Sequence, residues 1–256
     1  MIKNYKIILE YDGSKYNGWQ KQGNTDNTIQ GKLENTLSRY FNQSIEIHGS
    51  GRTDAGVHAL GQVANFKVDT SFIPKDVSLD TNILENTLNN YFPDDIRITS
   101  FTEADVRFHA RLNAKRKTYR YTLALADKEP VFNRKYCMLI TKNLDISLIK
   151  ESSKSFLGTH DLVGFSDTKT KKSTIRTIES ITFTEELINN DKYLFIDFTG
   201  DGFLYHTIRL MTGTLISIGL HESDTSIIEY ILSSKNRKQV PFMAPAKGLS
   251  LIKVFY

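Results

Sequence analysis

Residues 44–68 read SIEIHGSGRTDAGVHALGQVANFKV. A short alternating stretch, SIEIH, runs into the glycine-rich segment GSGRTDAGVHALG, and Gln62–Val68 then alternates again as a strand. Glycines at 49, 51 and 56 permit tight or left-handed backbone and close approach by a ligand. Between them stand one cation, Arg52, and one carboxylate, Asp54. A rigid loop between two strands would hold Asp54 at a fixed point, as a catalytic carboxylate requires. Local chemistry fits equally an Asx-turn in which Asp54 only caps its own backbone.

Working outward, Tyr5–Tyr11 alternates as a strand, and Ile29, Leu33 and Leu37 mark an amphipathic helix. Leu84 and Leu88 share a face of a second helix that Pro93 helps to stop, and residues 95–103 read as a strand. A second half begins near Phe108. Thr118–Ala126 is rich in β-branched and aromatic residues and reads as a strand. A helix carries Leu144, Leu148 and Ile149 and reaches Phe156. Residues 174–185 and 193–200 read as strands around a polar turn near Asn189–Asp191. Helical period covers Phe203–Leu220, a short helix lies near Ser226–Ser233, and a final strand ends the chain. The expectation is an α+β fold with a mostly antiparallel sheet and helices on one side, divided into 1–105 and 106–256. No GxGxxG follows the first strand and no GxxxxGK[ST] occurs, so dinucleotide and P-loop folds fit poorly.

The chain of 256 residues can bury roughly 73% of its extended surface, enough for a core without staples. No apolar run approaches the roughly 20 residues a bilayer crossing needs, so no membrane partner is expected. The N-terminal stretch lacks the pattern of a secretion signal, and the single Cys137 makes no internal disulfide; a cytoplasmic location is expected. Basic residues exceed acidic ones by 33 to 29. From Arg107 to Arg120 six Arg or Lys residues occur without an acid, and Lys169–Arg176 adds four more. Such blocks suit phosphate neutralisation, or else form solvated faces. The six histidines form neither HExxH nor a close ligand pair, and no metal site is expected.

Five segments in order resemble one family. GRTDAGVH at 51–58 is similar to the signature of the bacterial tRNA pseudouridine synthase A family. EYDGSKYNGWQ at 10–20 resembles its opening motif, and FHARLNAKRKTYRY at 108–121 its tyrosine motif. GDGFLYHTIRLMTGTL at 200–215 resembles its arginine motif, and APAKGLSLIKVFY at 244–256 its ending. The resemblance spans essentially the whole chain. It implies two fused α/β subdomains with a joined, mostly antiparallel mixed sheet and an active cleft between them. It also implies a homodimer that isomerises uridine to pseudouridine in tRNA at positions 38, 39 and 40 of the anticodon stem-loop, with no cofactor. By motif position, Asp54 is the implied catalytic aspartate, Tyr119 the active-site tyrosine, Arg209 the motif arginine and Arg52 the loop arginine. The chain departs from the pattern at Asn65, where the family commonly has His, and at Phe92, where it commonly has Leu. It departs also at Leu162–Phe165, which bears on the substrate rim, and at Thr207–Ile208.

The residue types suit the reaction. A C–N glycosidic bond breaks, the base turns, and a C–C bond forms at C5, with every uridine atom retained. One carboxylate can act as nucleophile at C6, or assist cleavage at C1′ directly or by elimination. An ionised Asp54 in a closed pocket needs an opposite charge, for which Arg209 has the bidentate geometry. Tyr119 offers a ring face and a phenol to an extruded base, and Arg52 suits a phosphate or the space the base vacates. Further RNA contacts are expected from Lys15, Tyr16, Lys115, Arg116, Lys117 and His58, whereas Trp19 fits packing equally well. A metal nuclease built on Glu10, Asp12 and Asp54 is disfavoured because no metal motif links these acids.

Overall fold

The computed structural model describes residues 1–74, 77–169 and 173–256. The chain forms two compact units, Met1–Lys115 with Leu251–Tyr256, and Arg116–Ser250. The division thus falls ten residues beyond the expected 105/106, and the last six residues, Leu251–Tyr256, return to the first unit. Hydrogen bonds explain why. Asn4 Nδ2 donates to Asp105 O at 2.8 Å and to Phe108 O at 2.9 Å. Asn65 Nδ2 donates to Phe108 O, and Asn65 Oδ1 accepts from Ala110 N at 2.8 Å. Lys115 N donates to Phe255 O at 2.8 Å. Asn65 stands where the resembled family commonly has His, and here it pairs with Asn4 Oδ1 to hold this segment.

In the first unit the strands β1 (Ile2–Tyr11), β2 (Ile47–Gly49), β3 (His58–Asp69) and β4 (Ile96–Ala104) form an antiparallel sheet in the order β4-β1-β3, with β2 also on β3. The alternation of β1 places Tyr5, Ile7, Leu9 and Tyr11 in the core, as a period of two dictates. Helix α1 (Ile29–Tyr40) buries Ile29, Leu33 and Leu37, spaced four apart. Its first turn is capped by Thr28, whose hydroxyl accepts from Gly31 N at 3.2 Å. Helix α2 (Thr81–Asn89) buries Leu84 and Leu88, and Phe92 joins the core behind it.

The second unit contains β5 (Arg116–Leu125), β6 (Met138–Ile140), β7 (Gly158–Asp161), β8 (Ile175–Ile188) and β9 (Asp191–Gly200) in the order β5-β9-β8-β7, with β6 parallel to β5. The β8–β9 hairpin turns at Asn189 and Asn190, with φ of 51° and 68°. Two successive left-handed residues match the right-handed twist of a two-residue hairpin, and Asn tolerates them. Helices α3 (Ile146–Ser152), α4 (Thr207–Gly219) and α5 (Ile227–Ser234) complete the unit. Residues 203–206, expected within α4, precede it, because His206 takes a left-handed φ of 68° at its N-cap. The departure at 162–165 is core rather than rim. Leu162 and Phe165 are buried, and Phe165 meets Phe156 edge to face at 5.0 Å. Strand β10 (Leu249–Phe255) ends the chain. The α+β class and the mostly antiparallel mixed sheet agree with expectation. Cys137 is buried and packs with Ala124 and Tyr193.

Candidate active site

The loop between β2 and β3 is fastened along its length. Ser50 N donates to Val63 O at 2.7 Å, and Ser50 Oγ donates to Gln62 Oε1 at 2.7 Å. Gln62 Nε2 donates to Gly51 O at 3.0 Å. Trp19 N donates to Thr53 O at 3.0 Å, while the Thr53 hydroxyl meets the Tyr11 phenol at 2.8 Å. Burial pushes that phenol far above its usual range, so it remains a neutral hydrogen-bonding group. Val57 N donates to Asp54 O at 3.1 Å across a turn whose third residue, Gly56, has φ of 78°. That positive φ is the reason for glycine there. The main-chain carbonyl of Asp54 closes this turn, and its side chain stands half-buried just before it. Each fastening removes freedom the carboxylate would otherwise lose on reaching its reactive geometry.

The opening motif is the clasp on this loop. Gly13 N donates to His58 Nδ1 at 3.1 Å, and Asp12 Oδ1 lies 3.2 Å from the same nitrogen. Gly56 N donates to Tyr16 O at 3.3 Å. A Cβ at Gly18, whose φ is 89°, would come within 2.7 Å of Thr53 O. The Trp19 indole packs flush on Gly49 and is 2% exposed. Two expected RNA contacts are therefore corrected. Tyr16 is only 6% exposed, with its phenol donating to Asp95, and His58 is 4% exposed. Both support the loop from inside. Lys15 and Arg52 are exposed, as a contact to RNA requires. A buried network adds a second brace. Gln20 Nε2 donates to Gln30 Oε1 at 2.7 Å, Gln30 Nε2 to Glu34 Oε1 at 2.9 Å, and Ile47 N to that same oxygen at 3.1 Å. It ties α1 to the strand that enters the loop. The glycines at 13 and 18 were the visible signal of the clasp, whereas the Gln–Gln–Glu brace had none.

In the second unit Tyr119 lies on β5, 8% exposed, with its ring edge to face with Phe203 at 5.5 Å. Tyr121, two residues on, is wholly buried and donates to Pro245 O at 2.8 Å, a packing role. We expect Tyr119→Phe to retain stacking and lose only the hydroxyl, whereas Tyr119→Leu weakens capture of an extruded base by about 1–3 kcal/mol. Trapping of tRNA carrying an unreactive uridine analogue reads this difference, and equal trapping by wild type and the Leu variant would remove the stacking role.

Arg209 sits in the first turn of α4. Its Nε donates to Ala244 O at 2.8 Å, and Ala244 N returns a bond to Arg209 O at 3.0 Å. One turn further on, a Cβ at Gly213 would stand 2.1 Å from Phe242 O and 3.0 Å from Phe242 C, both backbone. Glycine thus lets the segment before β10 lie against α4 and hold Arg209.

The basic stretch divides by environment. Arg107, Arg111, Lys115 and Arg116 are exposed, and Lys117 is half-buried. Arg116 Nη1 contacts Glu179 at 3.2 Å. Arg120 is bound through Nε and Nη2 to Asp197 at 2.7 and 2.8 Å, a bidentate pair inside the sheet. Its charge serves the β5–β9 pairing. Of the second basic block, Lys171 and Lys172 lie outside the described residues. Replacing Lys115, Arg116 and Lys117 together by Ala is expected to weaken tRNA binding and flatten log K against log salt by about two to three units if all three contact phosphates. An unchanged slope would place these side chains away from phosphate. Among the described residues no three His, Cys, Asp or Glu side chains converge as a metal site, and no helix is long and apolar enough to cross a membrane.

An α+β chain presenting one carboxylate on a loop braced from both sides has the layout of an enzyme built around a single positioned acid. Comparison with known proteins narrows that class. A family model described as tRNA pseudouridine synthase matches residues 7–113 and 153–256. The chain is 47% identical over 251 residues to tRNA pseudouridine synthase A of Bacillus sp. (strain KSM-64), covering 98% of each. It is 42% identical to tRNA pseudouridine synthase A 2 of Bacillus cereus (strain ZK / E33L) over 99% of each chain. With tRNA pseudouridine synthase A of Clostridium kluyveri it shares 40% identity over the full length of both. This chain belongs to the tRNA pseudouridine synthase family, and its activity is that isomerisation.

Proposed function

We propose that the chain isomerises uridines 38, 39 and 40 in the anticodon stem-loop of tRNA, working as a cytoplasmic homodimer without an added cofactor. The observation that carries this reading is the rigid mounting of Asp54 in the GRTDAGVH loop, between the Thr53 and Val57 anchors. Asp54 is the attacking or assisting carboxylate. Tyr119 stacks on the extruded base, and Arg209 acts as the motif arginine. Bases in a stem-loop are stacked and partly paired, so the target nucleotide leaves the stack before its glycosidic bond is reached. Arg52, exposed two residues before Asp54, contacts the displaced phosphate or fills the vacated space.

Mapping of pseudouridine in tRNA from cells with and without this chain tests the assignment. Loss confined to positions 38–40 supports it. Loss at other positions, with those three unchanged, would replace the target while leaving the chemistry intact. Sedimentation of the purified chain alone and with tRNA measures its oligomeric state.

A further inference from the structure

Tyr205 ends a chain of contacts that the proposed reaction leaves unused. The chain begins at Arg237, whose Nε donates to Asp167 Oδ1 at 2.8 Å and whose Nη2 lies 3.4 Å from Oδ2. His206 Nδ1 stands 2.7 Å from Asp167 Oδ2, and because an ionised carboxylate only accepts, that nitrogen carries the proton. Burial pushes the Asp167 carboxyl upward, but the bonds from His206 and Arg237 outweigh it and hold the group below the usual carboxylate range. The backbone is tied as well. Asp167 N and Ser166 Oγ both donate to Tyr205 O, at 3.2 and 3.1 Å. His206 itself is in the left-handed region, which a residue with a Cβ keeps only where its surroundings enforce it.

On this fixed imidazole lies the Tyr205 ring, with centroids 3.6 Å apart and planes at 28°. Tyr205 is nevertheless 54% exposed. One face is thus backed while much of the residue meets solvent. The Asp167 carboxylate, the Arg237 guanidinium and His206 Nδ1 bond to one another, and the exposed member of the cluster is the Tyr205 side chain. The basic residues Arg209, Lys235, Arg237 and Lys238 belong to the same unit, and of these Lys235 pairs with Asp161 and Arg237 with Asp167. An aromatic ring whose orientation is already restricted loses little entropy when a flat ligand settles on it.

We infer that Tyr205 is a stacking platform for a nucleobase of the RNA substrate, backed by His206 and aimed by Asp167 and Arg237. The inference deepens the tRNA reading above and rests on it. Steady-state kinetics on an unmodified tRNA transcript, with wild type, Tyr205→Ala, Tyr205→Phe and Asp167→Asn, provide the test. Tyr205→Ala is expected to raise KM about 5- to 150-fold, the range for loss of one base–aromatic stack, with kcat falling less than threefold. Tyr205→Phe should recover most of that loss, since stacking needs the ring and not the hydroxyl. Asp167→Asn should give a smaller rise by loosening the backing. An Ala variant with wild-type KM would overturn the inference. A raised KM accompanied by a change in sedimentation would overturn it too, by assigning Tyr205 to a contact between chains. If wild type itself forms no pseudouridine in the transcript, the functional reading fails, and that outcome is separate from an active wild type matched by its Ala variant.

Discussion

Asp54→Asn is expected to abolish pseudouridine formation while tRNA binding stays within a few-fold of wild type. The substitution keeps size and planarity and removes the negative charge. The loop should keep its path, because several fastenings survive the change: Gln62 to Gly51 O, Thr53 to Tyr11, Trp19 N to Thr53 O, and Val57 N to the Asp54 main-chain carbonyl. The loss in single-turnover rate should be about 10⁴-fold or more, the scale on which enzymes suffer when an essential nucleophile is removed. Release of tritium from C5-labelled uridine in tRNA measures turnover, and gel shift measures binding. Wild-type release by the Asn variant would end the assignment of Asp54.

Gly13→Ala is expected to damage activity severely, though less than Asp54→Asn, without touching any reacting group. A Cβ there would stand 2.0 Å from Val57 O and 2.6 Å from Val57 C. Both atoms are backbone, so no rotamer change relieves the contact and one strand of the clasp must move by roughly an ångström. Val57 closes the turn that begins at Asp54, and Gly13 N is bonded to His58. Displacement on that scale costs about 100-fold in rate when it reaches a catalytic group. Overpacking should also lower stability by about 1–3 kcal/mol. Gly23→Ala is the matched control, since its Cβ would meet nothing within 4 Å. Thermal melts and single-turnover rates on the three proteins decide the matter, and a Gly13→Ala enzyme with wild-type kcat would show that the clasp does not set the loop.

The amino-acid sequence determined much of this by local pattern alone. A period of two in Tyr5–Tyr11 placed one face of β1 in the core, and a spacing of four in Ile29, Leu33 and Leu37 did the same for α1. Glycines, a cation and a carboxylate packed between two strand patterns marked the Asp54 loop, and Asn189–Asn190 marked a hairpin. These readings succeed because backbone geometry repeats over a few residues, so side-chain spacing reports it directly. Tertiary structure alone decided which polar and aromatic residues lie inside. Tyr16 and His58 looked like RNA contacts, yet one reaches Asp95 and the other Gly13, partners 79 and 45 residues away in sequence. It also decided that residues 106–115 belong with the first unit, through amides on Asn4 and Asn65, and that Arg120 is consumed by Asp197. Burial and pairing depend on which distant segments the fold brings together, and no spacing within a short window encodes the identity of a partner so far along the chain.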